Sequence, residues 1–209
     1  MAQLITGLDA DRIRENLARV REVLPDGVQV LAAVKYVPLE ELGTLAEAGI
    51  ELVGENRAQD LVAKAQAHPE LRWHFIGQLQ SRKVKLILPH VDLIHSVASD
   101  SALRQLERHG TPETKILVEV NTAGEEGKAG IAPEELGAFI ERCPVTVAGL
   151  MTMPPFTEDP EASRPHFAAL QRLADEHGLR ELSMGTSQDY RVAAEEGATI
   201  VRLGTSLYA

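Results

Sequence analysis

Val28-Gln29-Val30-Leu31-Ala32-Ala33-Val34-Lys35 is the stretch on which the fold turns. It is short, apolar and rich in β-branched residues. It follows the breaker Pro25-Asp26-Gly27 and ends in a charge. A strand buried on both faces of a parallel sheet reads this way. Upstream, Ile13, Leu17, Val20 and Val23 fall on one face of a helix over 9–23. Downstream the alternation repeats. Strands are predicted near 51–54, 72–76, 92–96, 115–120, 145–151, 181–185 and 199–203, and helices at 39–48, 58–67, 81–88, 101–109, 133–143, 160–177 and 188–196. With the opening run this makes eight strands, each followed by a helix except the last. The expected fold class is α/β: a single (β/α)8 TIM barrel with an extra N-terminal helix, residues 1–209 forming one domain. An open doubly wound sheet competes, but eight strands favour closure, which removes the sheet edges.

Composition narrows the function classes. Lys and Arg number 21 against 31 Asp and Glu, a formal net charge of −10. With no basic block, recognition of nucleic acid or an anionic membrane by charge is not expected. No apolar run reaches the ~18 residues of a membrane span. Met1 to Thr6 shows neither a basic nor an apolar leader region, so the cytoplasm is the expected compartment. Cys143 is the only cysteine, which excludes an internal disulfide and a cysteine-clustered zinc site. The histidines show no metal-ligand spacing such as His-x3-His.

In a barrel the chemistry gathers where the strands end. Those ends carry Lys35, Glu55-Asn56-Arg57, Gly77-Gln78, His95-Ser96, Asn121, Met151-Thr152-Met153, Gly185-Thr186-Ser187 and Gly204-Thr205-Ser206. Lys35, after a buried run, is expected to be desolvated, with its pKa lowered toward the neutral amine that attacks an aldehyde. The plainer alternative is a lysine that snorkels to water or pairs with Glu55. The two Gly-Thr-Ser runs suit a phosphate after strands seven and eight. Ser187 could equally cap the helix that follows it. Arg202, among Ile200, Val201 and Leu203, needs a buried acceptor: a pyridine nitrogen, or an inner carboxylate such as Glu55 or Glu119. An aldehyde-bearing phosphate fits this set, either pyridoxal 5′-phosphate or the sugar phosphate of an imine-forming aldolase.

Five motifs carry a resemblance. They are Ala33-Val34-Lys35; Gly54-Glu55-Asn56; Trp73-His74-Phe75-Ile76-Gly77 with Leu79-Gln80; Ser183-Met184-Gly185 with Ser187 and Asp189; and Val201-Arg202-Leu203-Gly204-Thr205. In these the sequence resembles the pyridoxal phosphate homeostasis proteins (the YggS/PROSC family), whose fold is like the barrel domain of alanine racemase. The resemblance implies that Lys35 carries pyridoxal 5′-phosphate as a Schiff base and that Ser187, Gly204 and Thr205 hold its phosphate. It implies further that Arg202 faces the pyridine nitrogen and that Asn56 lies beside the ring. It gives His74 and Gln78 no role, and His74 reads as a satisfied core histidine. Val34, Tyr36 and Thr186 depart from the residues common at those positions, and the usual Gly-x-Arg tail is absent.

The same resemblance implies a carrier that serves intracellular cofactor homeostasis rather than a robust enzyme. A weak amino-acid racemase is the alternative. An arginine opposite the ring nitrogen discourages its protonation and weakens the electron sink. A second base is not expected either, because Tyr36 should point away from Lys35. The expected partners are the small-molecule cofactor and, transiently, apo-enzymes that use it; the expected state is a monomer. Lys128, in a Gly-rich stretch, reads as a surface residue.

Overall fold

Asp9 starts the first helix by accepting the Arg12 backbone N–H at 2.8 Å. The computed structural model describes residues 4–125 and 127–209. Helix α1 (Ala10–Arg21) buries Ile13, Leu17 and Val20. Val23, predicted on the same face, lies beyond the helix end and is exposed.

Eight strands follow: β1 (Gln29–Ala33), β2 (Leu52–Glu55), β3 (Arg72–Phe75), β4 (Leu93–Val97), β5 (Lys115–Glu119), β6 (Thr146–Met151), β7 (Glu181–Thr186) and β8 (Ile200–Leu203). They pair in chain order, every pair parallel, and β8 closes onto β1. The expected barrel is therefore the observed one. The connecting helices are α2 (Leu42–Glu47), α3 (Ala58–Ala67), α4 (Val84–Ile87), α5 (Asp100–His109), α6 (Leu136–Glu141), α7 (Arg164–Glu176) and α8 (Tyr190–Glu195). Several are shorter than predicted because 3-10 turns open them. Pro133 and Pro160 each begin such a turn, where a missing N–H costs nothing. The chain after β8 does not simply run out, as expected, but forms a last short helix, α9 (Thr205–Tyr208).

Strand periodicity splits the core in two. Ala32, Val53, Ile94, Ile116, Leu150 and Val201 face outward and pack under the helices. Leu31, Leu52, Leu93, Leu117, Met151 and Ile200 fill the barrel interior. One irregularity matters for the site. Ser183 pairs with Ile200 and Thr186 with Arg202, so three steps along β7 match two along β8. The extra residue is a bulge, and Gly185 (φ +89°) takes the left-handed conformation it needs. A bulge re-aims the residues after it, here Thr186 and Ser187.

Candidate functional site

A buried ion pair sets the first two strand ends. Lys64 Nζ, from α3, lies 2.6 Å from Glu55 Oε2 and donates to the Val34 carbonyl at 2.7 Å. Glu55 Oε1 accepts the backbone N–H groups of Asn56 and Arg57 at 2.7 and 3.0 Å. Lys64 therefore fixes the backbone beside both Lys35 and Asn56. Gly77 packs against the same place: a Cβ there would lie 2.1 Å from the Asn56 carbonyl oxygen.

The geometry corrects three expectations about Lys35. Strand β1 stops at Ala33, and Lys35 is exposed, so the predicted desolvation is absent. Glu55 is engaged by Lys64, not by Lys35. Because Lys35 and Tyr36 lie past the strand, alternation no longer governs them. Both line the same cavity, with Lys35 Nζ 4.6 Å from the Tyr36 ring centroid.

The opposite rim is organised by Asp189, which is buried. Its Oδ1 accepts from the Thr186 backbone N–H at 2.7 Å and the Thr186 hydroxyl at 3.0 Å, and its Oδ2 accepts from the Ser163 hydroxyl at 2.9 Å. Ser187 does not cap the helix after it. Its Oγ accepts from Gly204 N–H (3.1 Å), Ser206 N–H (3.3 Å) and the Ser206 hydroxyl (2.9 Å), tying the β7 loop to the start of α9. At Gly204 a Cβ would meet no atom within 4 Å, so the backbone there borders open space.

Arg202 is buried, and among the described residues it touches no carboxylate. Its Nη1 donates to the Ser183 carbonyl (2.8 Å) and hydroxyl (2.6 Å), and its Nη2 to the Thr152 carbonyl (3.0 Å). Three of its five N–H bonds are thus committed. Burial pulls its pKa down to about 10, against the opposing fields of Glu119 and Asp189, and it remains a cation at neutral pH. Burial raises the pKa of Glu119, with Arg202 acting in the other direction.

One cavity of about 470 Å³ gathers the predicted set. Lys35, Asn56, Ser187, Arg202, Gly204 and Thr205 all line it. Tyr36, Thr186, Met153 and Ile5 complete its wall. Lys35 is the one lysine in that wall among the described residues. Asn56 Oδ1 is buried without a hydrogen-bond partner. Gln78 and Lys128 are not in the wall; Lys128 lies on the surface, 3.7 Å from Glu125. Two organising residues escaped the sequence reading. Lys64 looks like an ordinary helix-surface lysine, and only the barrel brings it to Glu55. Asp189 belongs to the Ser183-Met184-Gly185 motif, and its spacing from Thr186 is the sequence sign of a side-chain turn.

The chain matches the family described as alanine racemase, N-terminal domain, over residues 8–209. It is 42% identical over 195 residues to the pyridoxal phosphate homeostasis protein of Aquifex aeolicus, covering 86% of each chain. The chain belongs to the pyridoxal phosphate homeostasis protein family. Among solved structures, PipY of Synechococcus elongatus PCC7942, with PLP bound, is 33% identical, with a TM-score of 0.82 over 94% of this chain and 100% of that one. An alanine racemase of Clostridium difficile 630 shares the fold alone, at 14% identity and a TM-score of 0.79, over 96% of this chain and 57% of that one. Among the described residues no helix is long and apolar enough to cross a membrane.

Proposed function

We propose that this protein binds pyridoxal 5′-phosphate reversibly and serves cofactor homeostasis in the cytoplasm, as one domain and as a monomer. The observation that carries the reading is the convergence of Lys35, Asn56, Arg202 and the Ser187–Gly204–Thr205 corner on one cavity. Membership in the family, and a relative solved with PLP bound, support the choice of ligand.

The residues fit that group. Asn56 Oδ1, buried and unpartnered, calls for a donor such as the ring hydroxyl. The open backbone at Gly204, with the Ser187 and Thr205 hydroxyls, suits a phosphate. Arg202, held by carbonyls and a hydroxyl, keeps N–H donors for an acceptor such as the pyridine nitrogen. When bound, the cofactor supplies an aldehyde carbon to which a lysine amine can join through a C=N bond with loss of water. Lys35 provides that amine, and its exposure lets water or an acceptor lysine reach the linkage, which suits hand-over to apo-enzymes. Arg202, as a cation, keeps the ring nitrogen unprotonated and so discourages carbanion chemistry. Tyr36 lies against the Lys35 ammonium on one side, not across the cavity as a second base would.

The test is spectroscopic. Protein mixed with pyridoxal 5′-phosphate should turn yellow, borohydride should fix the adduct, and peptide mapping should place it on Lys35 rather than on any of the other five lysines. An adduct elsewhere overturns the site. Stereoinversion of L-alanine at useful turnover, abolished in Lys35→Ala, overturns the carrier reading in favour of a racemase.

A further inference from the structure

A hydrogen-bonded chain runs through the barrel behind the cofactor cavity and ends at a second one. Arg202 Nη1 donates to Ser183 Oγ at 2.6 Å; Ser183 Oγ lies 2.8 Å from His95 Nδ1; His95 Nε2 lies 2.9 Å from His74 Nδ1. All four residues are buried. Arginine has no acceptor, so it fixes the direction of the first link. Ser183 accepts from Arg202 and, with His95 Nδ1 its one acceptor among the described residues, gives its own proton there. His95, neutral because burial holds its pKa well below the usual range, then carries its proton on Nε2 and donates to His74 Nδ1. His74 is neutral for the same reason, its pKa lowered to about 4 by burial and then by Arg72, so its proton resides on Nε2. That N–H has no partner among the described residues, although His74 is only 2% exposed.

His74 lines a cavity of about 390 Å³ at the floor of the barrel, opposite the cofactor rim. Five charged side chains share its wall: Arg72, Asp92, Lys115, Arg180 and Glu181. The acids are engaged. Asp92 pairs with Arg72 at 3.3 Å, and Glu181 accepts the Thr199 hydroxyl at 2.8 Å. Among the described residues Lys115 and Arg180 have no carboxylate within 4.0 Å. An N–H without a partner among the described residues, on a wall shared with two cations that pair with no carboxylate there, points to an acceptor.

We infer that the barrel floor binds a small oxygen anion, phosphate or carboxylate in class, which accepts the His74 Nε2 proton and is held by Lys115 and Arg180. Three hydrogen bonds then connect His74, and through it the anion, to the arginine of the cofactor cavity.

Long-range ¹⁵N–¹H correlation of the imidazoles tests this directly, because it reads tautomers. Both His74 and His95 should be Nε2–H forms at pH 7.5. Titration with inorganic phosphate, and separately with acetate, should move the His74 Nε2 resonance. The Gly204 amide reports any binding at the rim, so the two sites are read apart and failure of one leaves the other intact. In Lys115→Ala/Arg180→Ala, whose changed side chains are exposed and leave the core intact, the His74 response should weaken by at least about tenfold. An Nδ1–H tautomer at either histidine overturns the inference, as does a His74 resonance unmoved by both anions at millimolar concentration. A response undiminished in the double variant overturns it too.

Discussion

Replacing Lys64 by methionine removes one half of a pair that the protein has taken out of water. Glu55 is 0% exposed, and the Lys64 side chain 9%. Methionine matches the stem of lysine in length, so packing is nearly conserved and the loss is electrostatic. The Glu55 carboxylate keeps two backbone N–H donors but loses its cation, and the Val34 carbonyl loses its partner. Breaking a buried pair on one side costs about 3–5 kcal/mol, and an orphaned carbonyl adds about 1 kcal/mol. Against a total stability of about 5–15 kcal/mol, Lys64→Met should lower the urea midpoint sharply. At about 2–4 °C per kcal/mol for a chain of this size, Tm should fall by roughly 10 °C or more. Removing the charge as well, in Glu55→Gln/Lys64→Met, should recover part of the loss, since no buried ion is then left alone. The double variant should still bind cofactor weakly, because the backbone beside Lys35 and Asn56 is no longer tied. If Lys64→Met costs less than about 1 kcal/mol, or if the double variant is worse than the single ones combined, the scaffold argument is refuted.

Three further outcomes are expected. His74 is held neutral in the fold, with its pKa lowered from 6.5 to about 4. Between those values the unfolded chain binds a proton that the folded one refuses, so stability is full above pH 6.5 and declines as pH falls, by about 1.4 kcal/mol per unit for each such histidine. Urea melts at pH 7 and 5 should show this decline, while ¹⁵N titration shows His74 still neutral at pH 5. Cys143 donates to the Phe139 carbonyl, and burial pushes its thiol up to about 11, so an aromatic disulfide reagent at pH 7 should label it far more slowly than a free thiol. Gly77→Ala drives a Cβ into the Asn56 carbonyl; it should destabilise by about 1–3 kcal/mol and weaken cofactor binding, both read in one thermal-shift titration with pyridoxal 5′-phosphate. An unchanged midpoint would show that the backbone yields there without cost.

The barrel was legible because its cause is local. Each strand is a short apolar run between breakers, and each helix carries an apolar stripe, so the eightfold alternation appears in the residue order itself. The cavity wall was legible for a related reason: strand ends of a barrel must converge, and Lys35, Asn56, Ser187, Arg202, Gly204 and Thr205 stand at strand ends. The features that escaped depend on contacts that the order does not encode. Lys64 meets Glu55 only because α3 folds back over β2. Tyr36 was assigned to the wrong side because β1 ends two residues before Lys35, and alternation stops with the strand. Ser187 reaches across to α9, a helix too short to leave a periodic signal. His74 reads as a core residue and His95 as a strand-end residue, and only the parallel register of β3 and β4 makes them neighbours.

Closure of β8 onto β1 has a consequence for biosynthesis. Arg202, Gly204 and Thr205 lie at the last stave or just past it, and Asn16 of the first helix donates to the carbonyls of Leu207 and Ala209. A ribosome delivers Lys35 long before the residues opposite it. The nascent chain therefore presents a reactive amine long before it can grip the vitamer, and selectivity arrives only when β8 emerges and the ring is sealed.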